Sequence, residues 1–320
     1  MQVHRDLDKL PVFRKAVITI GTFDGVHCGH QKILRQLKEE AAACGGESIV
    51  ITFHPHPREI LRSSGEPVRL LTPLEEKIYL LGQQGIDHLV VVPFTRDFSQ
   101  LSAEEYISAF LVRNFHPHII IIGYDHHFGH NREGDIRYLE SVQEKYHFRL
   151  VEIPEQVIHD LTVSSTKIRH HLAEGHVALA NELLGYTYFL SGNVVHGDKR
   201  GRELGYPTAN IAINDSRKLI PRKGIYAVKA GLHDRYTWTP LHDAALLPGV
   251  MSIGYRPTFD GDDLRVEVFL FDFDQNIYGQ SVTVYFSHYL RDEEKFDSAE
   301  ALVQQMKKDE QQARDLLRDK

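Results

Sequence analysis

Two rhythms of apolar residues divide the chain. In the first half, short apolar runs alternate with segments of helical period. AVITIG (16–21), SIVITF (48–53), HLVVVPF (88–94), HIIIIG (118–123) and FRLVEI (148–153) have strand length and are apolar nearly throughout. Between the first two, residues 30–44 place Ile33, Leu34 and Leu37 on one helical face. Thr72-Pro73-Leu74-Glu75 predicts a helix start, with a capping residue, proline in the first turn and glutamate at the third position. That helix carries Ile78, Leu80 and Leu81 and stops near Gly85, and Ser102-Ala103-Glu104-Glu105 opens another by the same logic. Fully apolar strands alternating with helices predict a parallel sheet covered on both faces.

The rhythm changes at residues 181–188, where a short helix ends at Gly185. YFLSGNVV, TANIAI, GIYAVKA, AALLPGVMSI, RVEVFLF and SVTVYF then follow without helices, separated by Gly, Pro and Asp. This is the pattern of an antiparallel barrel or sandwich. A polar helix over 298–317, with Leu302, Met306 and Leu316 among charges, closes the chain. The expected domains are 1–184 and 185–320, in keeping with a prior of about 150 residues per domain.

Composition narrows the classes. With 42% hydrophobic residues the chain is no disordered polymer, and a net charge of −7 argues against a nucleic-acid partner. Cys28 and Cys44 cannot make a disulfide framework, so a reducing compartment is expected. Residues 1–15 carry charges and no apolar leader, and the apolar runs are too short to span a bilayer. A cytoplasmic protein with no membrane partner is the expectation. The 20 histidines raise metal binding, but they are scattered.

Candidate chemistry begins where the first strand ends, in Gly21-Thr22-Phe23-Asp24-Gly25-Val26-His27-Cys28-Gly29-His30. The glycines let backbone approach a ligand, and the helix start offers unpaired N–H groups to phosphate. His27 and His30 can donate to phosphate oxygens. Zinc would need three or four convergent ligands, and adjacent His27 and Cys28 diverge at a helix start. Three more segments sit at strand ends or a helix start: 52–59 with Phe53, Pro55 and Pro57; 123–129 with Asp125 and Phe128; and 163–169 with Ser165, Thr166 and Arg169. An aromatic and a stiff proline wall suit a flat ring, and hydroxyls with an arginine suit phosphates.

The second half carries its own set. Gly197, Gly201 and Arg202 lie in a glycine-rich basic loop that leads to Pro207-Thr208-Ala209-Asn210. Thr208 and Asn210 are two apart on an expected strand, so they share a face, and both offer hard oxygens suited to Mg²⁺. Glu267 lies in an apolar strand, on the face of Phe269 and Phe271 and opposite Val266, Val268 and Leu270. A carboxylate on that aromatic face is either at a barrel mouth or badly placed, and a kinase acting on an alcohol needs a carboxylate near the nucleophile.

The ordered motifs over about 14–184 resemble the adenylyltransferase module of prokaryotic bifunctional riboflavin kinase/FAD synthetases. PTAN, its preceding flap, GIYAV, residues 252–259, the Glu267 strand and Tyr278-Gly279 resemble the riboflavin kinase module over about 186–316. The resemblance implies a Rossmann-like parallel-sheet nucleotidyltransferase domain, then a small antiparallel Greek-key barrel with a terminal helix. It implies phosphorylation of riboflavin to FMN, then adenylylation of FMN to FAD with release of pyrophosphate. ATP is co-substrate at both sites, giving ADP at the kinase, and Mg²⁺ is required. His27 and His30 would then stabilise the α/β-phosphates, with Gly21, Phe23, Asp24, Gly29, Asp125, Ser165, Thr166 and Arg169 binding ATP. Phe53, Pro55, Pro57 and Phe128 would line the flavin site. Glu267 would be the base, Thr208 and Asn210 the Mg²⁺ ligands, and Gly197, Gly201 and Arg202 the nucleotide flap. His126 stands where the family usually has Phe, and Ser252 where many members carry Asn. The alternative is a riboflavin kinase whose first domain binds flavin nucleotide without catalysis. A monomer or weak homo-oligomer is expected.

Overall fold

Ala16–Ile20 is buried at all five positions, as are the five residues from Ser48 to Thr52 within Glu47–His54. Strands sealed on both faces need neighbours on both edges and helices above and below. The computed structural model describes residues 1–61, 67–123, 126–153, 163–197, 205–233, 246–258 and 261–318, with backbone alone at 256–258 and 261–263. Its first unit, Met1–Ser165, is a six-stranded sheet. The strands are β1 (Gln2–His4), β2 (Ala16–Ile20), β3 (Glu47–His54), β4 (His88–Pro93), β5 (Ile119–Gly123) and β6 (Arg149–Ile153). They lie in the order β1-β4-β3-β2-β5-β6, and every described pairing is parallel.

The helices of this unit are α1 (Cys28–Cys44), α2 (Pro57–Leu61), α3 (Leu74–Gln83), α4 (residues 103–115) and α5 (Ile136–Tyr146). Ile18, Ile20, Ile51, Val92 and Ile120 share a core cluster with Phe110 and Phe115 of α4. β2 and β5 are neighbours at the middle of the sheet, and the chain leaves β2 for β3 and β5 for β6 in opposite directions. The end of such a strand opens into the crevice where open α/β sheets bind ligands.

Two elements depart from the sequence expectation. β1 is an addition: it has three residues, too few to show a period, and it forms by pairing with β4. The other is the start of α3. Ser102 caps α4 as expected, its Oγ accepting from Glu105 N at 3.2 Å while Glu105 Oε2 accepts from Ser102 N at 2.9 Å. Thr72 does not cap α3; Pro73 takes that position without a side-chain bond. The Thr72 hydroxyl is turned to the loop after β2 instead.

The second unit, Thr166–Lys320, is a closed antiparallel barrel with a terminal helix. Its strands are β7 (Phe189–Val195), β8 (Ala209–Ile213), β9 (Gly224–His233), β10 (Leu247–Thr258), β11 (Gly261–Leu270) and β12 (Ser281–Arg291), ordered β10-β11-β8-β7-β12-β9. Neighbours far apart in sequence, such as β7 with β12 and β8 with β11, give the interlocked connections of a Greek key. Val266, Val268 and Leu270 are buried, while Glu267 between them keeps a third of its side chain exposed.

By spatial proximity α6 (Ser165–Ala173), after its first residue, and α7 (Val177–Leu184) group with the barrel. Asn181 Nδ2 donates to Phe286 O at 2.8 Å, and Arg222 N donates to Leu172 O at 2.9 Å. The terminal helix α8 (Ala299–Leu317) starts on the Ser298 cap and is fastened by Arg291, whose Nε and Nη2 donate to Asp309 at 2.9 and 2.7 Å.

Candidate active sites

The turn after β2 is a left-handed, glycine-assisted loop. Phe23 and Val26 have φ of 47° and 37°, and Gly25 has φ of 87°. Such strain in non-glycine residues persists only when the surroundings over-determine it. Here they do. Asp24 is buried, and its carboxylate accepts from Leu71 N at 3.3 Å, Thr72 N at 3.0 Å and Thr72 Oγ1 at 3.4 Å. Gly25 N donates to Thr72 Oγ1 at 2.8 Å. The same hydroxyl therefore donates to Asp24 and accepts from Gly25. Ser165 Oγ donates to Asp24 O at 2.9 Å.

This frame aims two histidines. His27 is the N-cap of α1, and its Nδ1 accepts from His30 N at 3.4 Å, which leaves a neutral ring its proton on Nε2. The two rings stack with centroids 3.7 Å apart and planes 15° apart, and Phe23 backs His30 at 5.1 Å. His30 Nδ1 is buried and has no hydrogen-bond partner among the described residues. Burial, then the neighbouring His27 and Lys77, hold its pKa well below the usual imidazole value, so His30 is neutral near pH 7. A capped helix start, two stacked imidazoles and Gly29 buried between them can accept an anion and donate to it.

The other expected residues of this unit fall as follows. Gly21 ends β2's run, and its N–H donates to Ile51 O at 3.0 Å. Phe53 is half-buried against Phe94 and Phe98, at 5.5 and 5.7 Å between centroids. Pro55 and Pro57 follow it at the end of β3, half-buried. Phe128 is 6% exposed, stacked on Tyr106 at 5.1 Å and lying over Gly134, so it backs a wall more than it lines one. Asp125 lies outside the described residues. Thr166 and Arg169 are on the first turns of α6.

In the barrel, β8 and β11 set Asn210 opposite Glu267, and β7 sets Val195 opposite Asn210. Thr208 Oγ1 donates to Glu267 Oε2 at 3.0 Å. Arg265 Nη1 stands 3.8 Å from Glu267 Oε1. The structure thus brings together three residues named from sequence and adds Arg265, which spacing alone did not single out. A Cβ on Gly197 would stand 2.1 Å from Asn210 Nδ2, so Gly197 is the surface on which Asn210 rests. Gly201 and Arg202 lie outside the described residues. Beside Thr208 a cleft of about 390 Å³ is walled by Pro207, Val268, Leu270, Ile277 and Tyr278, a size and lining suited to a small planar ligand.

The sequence signals for the residues missed were present but ambiguous. Thr72 looks like an ordinary cap. Lys77 lies three and four residues before Leu80 and Leu81, so it interrupts the apolar face of α3.

A strand-end anion site on an α/β sheet and a carboxylate with hard-oxygen neighbours at a barrel mouth define a transferase with two phosphate-handling centres. The model of the FAD synthetase family matches residues 10–167, and that of the riboflavin kinase family matches residues 184–317. A bifunctional riboflavin kinase/FMN adenylyltransferase of Listeria monocytogenes is 39% identical over 299 residues, 93% of this chain and 91% of that protein. One of Bacillus subtilis is 39% identical over 304 residues, 93% and 92% of the two chains. Among solved structures, one titled macrolide-efflux protein from Streptococcus pneumoniae superposes with a TM-score of 0.84 at 31% identity over 98% of each chain. Among the described residues no helix is long and apolar enough to cross a membrane. The chain belongs to the bifunctional riboflavin kinase/FMN adenylyltransferase family and carries both enzymatic domains, adenylyltransferase first and kinase second. Riboflavin, FMN, FAD and ATP are its substrates and products.

Proposed function

We propose that the two reactions are divided between the two sites just described, with the boundary near Gly185. The observation that carries the kinase assignment is the Thr208–Glu267 hydrogen bond beside Asn210. Glu267 takes the proton of the ribityl 5′-hydroxyl of riboflavin as that oxygen attacks the γ-phosphorus of ATP, and ADP leaves. Because Thr208 gives its proton to Glu267, its oxygen lone pairs remain available to a cation. With the Asn210 amide oxygen they form a hard-oxygen pair that fits Mg²⁺. Bound there, the ion would neutralise phosphate charge. Gly197, Gly201 and Arg202 belong to the flap over the nucleotide.

In the sheet unit the FMN phosphate oxygen attacks the α-phosphorus of ATP in line, and pyrophosphate leaves. His27 and His30 stabilise the charge on the α/β-phosphates as N–H donors, His30 as a neutral ring, which needs no proton transfer. Gly21, Phe23 and Gly29 let the backbone close on the nucleotide, while Asp24 acts by locking the turn to Leu71 and Thr72. Asp125, Ser165, Thr166 and Arg169 complete the ATP contacts. Phe53, Pro55 and Pro57 face the flavin, with Phe128 behind them. The enzyme works in the cytoplasm as a monomer or weak homo-oligomer, with no membrane or nucleic-acid partner.

A crossed pair of variants tests the division. Removing a positioned general base costs about 10²–10⁴-fold, so Glu267→Gln nearly stops FMN formation and still converts supplied FMN to FAD. Removing one preorganised donor costs about 10²–10³-fold, so His30→Ala accumulates FMN from riboflavin. Flavins separated over a time course read both. A folded variant that loses both activities sinks the two-site assignment. The two variants mixed make FAD from riboflavin, since FMN released by one can diffuse to the other.

A further inference from the structure

Lys77 is 5% exposed on α3, and the mechanism above gives it no task. Its ammonium makes no hydrogen bond or ion pair among the described residues. A buried charge without a partner is costly, and structures normally pair it. Two carboxylates, Asp24 and Glu59, are near enough for their fields to favour its charge, and its own charge acts on His30. Both carboxylates are engaged elsewhere. Asp24 holds Leu71 and Thr72, and Glu59 Oε1 accepts from His56 N at 3.0 Å. Burial outweighs their pull and brings the Lys77 pKa down to about 8.

The position is set by the backbone. Lys77 N donates to Pro73 O at 2.9 Å, which closes the first turn of α3. The residues just before that turn are bonded to Asp24 and Gly25. The buried lysine therefore comes off the first turn of a helix whose start is tied to the histidine loop, and the field of Glu59 reaches it from the segment that follows Pro55. An unpaired cation next to an anion-accepting loop lacks only the anion.

We infer that Lys77 is a phosphate ligand of the adenylyl-transfer site, its ammonium meeting the β/γ end of ATP and the pyrophosphate that departs. The inference rests on the assignment of adenylylation to the His27–His30 loop. As the bond from the FMN phosphate oxygen to the α-phosphorus forms and the bond from the α-phosphorus to the bridging oxygen breaks, negative charge builds on the leaving pyrophosphate. Lys77 supplies fixed positive charge there and transfers no proton. The histidine N–H groups and the charged lysine then divide the work, hydrogen bonds at the α-phosphorus and charge at the leaving group.

The test uses the full chain and runs the reaction in both directions. Lys77→Met keeps the side-chain length and removes the charge. It is expected to lower kcat/KM for ATP in FAD formation by about 10²-fold. In the reverse direction, FAD with pyrophosphate, it is expected to raise KM for pyrophosphate at least about 10-fold while KM for FAD stays within about 2-fold. Its melting temperature without ligand is expected to match or exceed that of the parent, because an unpaired buried charge has gone, and the rise that pyrophosphate gives the parent is lost. Riboflavin phosphorylation by the same preparation reports folding of the rest of the chain. Lys77→Arg retains the charge and recovers most of the pyrophosphate affinity. An unchanged KM for pyrophosphate in Lys77→Met overturns the inference, as does a low melting temperature in both variants that accounts for their losses. If His30→Ala is inactive in FAD formation while Lys77→Met is normal, only the role of Lys77 falls. If His30→Ala is fully active, the site assignment falls first.

Discussion

Asn210 occupies the place where a side chain on residue 197 would stand, with its Nδ2 2.1 Å from that Cβ position. Gly197 is thus required by contact, and its φ is ordinary. Gly197→Ala must push Asn210 off its seat, and a displacement of about 1 Å in a positioning group costs on the order of 10²-fold. The expected outcome is a loss of that size in FMN formation, with FAD formation from supplied FMN unchanged. A kinase rate within twofold of the parent would show that Asn210 does not depend on this seat. His30 makes a second prediction at this scale, in stability. The unfolded chain takes up a proton at this residue near pH 6.5, whereas the folded chain resists it because burial, His27 and Lys77 hold the folded pKa well below that value. Stability tied to His30 is complete above the unfolded pKa and is lost as pH falls below it. Urea midpoints between pH 7.5 and 5.5 should fall less steeply in His30→Gln than in the parent. Parallel slopes would mean that the buried imidazole titrates normally.

At the scale of elements, the start of α3 is where helix and site compete for one hydroxyl. Thr72 could cap its helix, a bond worth about 1 kcal/mol. It bonds to Asp24 and Gly25 instead, because the loop after β2 holds a buried carboxylate and a buried N–H that would cost about 1–3 kcal/mol each if left unsatisfied. Thr72→Val keeps the shape and removes both bonds. Its expected effect is a melting temperature lower by several degrees, at about 2–4 °C per kcal/mol, and a raised KM for ATP in FAD formation. Thr72→Ser should restore both. If Thr72→Val melts lower with its KM unchanged, the bond stabilises the fold without shaping the nucleotide site.

For the whole molecule, the open matter is where the kinase domain begins. A start at Gly185 removes Asn181, which accepts from Tyr188 N at 2.7 Å and donates to Phe286 O at 2.8 Å, and removes the carbonyl of Leu172 that Arg222 N uses. A fragment 166–320 keeps all three. Both fragments are expected to phosphorylate riboflavin, the longer one with the higher melting temperature. Equal melting temperatures would show that α6 and α7 contribute nothing to the barrel. The same comparison locates the boundary between the matched regions 10–167 and 184–317.

Much of this protein is legible along the chain. Five of the six parallel strands, the six barrel strands and the terminal helix follow from apolar period and turn residues, because a strand sealed between helices and a strand with one wet face must differ in sequence. The sequence also singles out the histidine loop, PTAN and Glu267 by residue type, and the fold stacks His27 on His30 and bonds Thr208 to Glu267 opposite Asn210. Local sequence could not decide what distant residues do to one another. β1 exists only through its pairing with β4. The partner of Thr72 is 48 residues away, that of Thr208 is 59 away, and the seat of Asn210 is Gly197, outside its own strand. Lys77 reads as a charged residue on a helix until the fold buries it beside Asp24. Periodicity records which way a residue points, and burial of that face follows from the hydrophobic effect. Hydrogen-bond partners and the sign of a pKa shift depend on distances of a few ångströms between elements, and only the packed chain sets those.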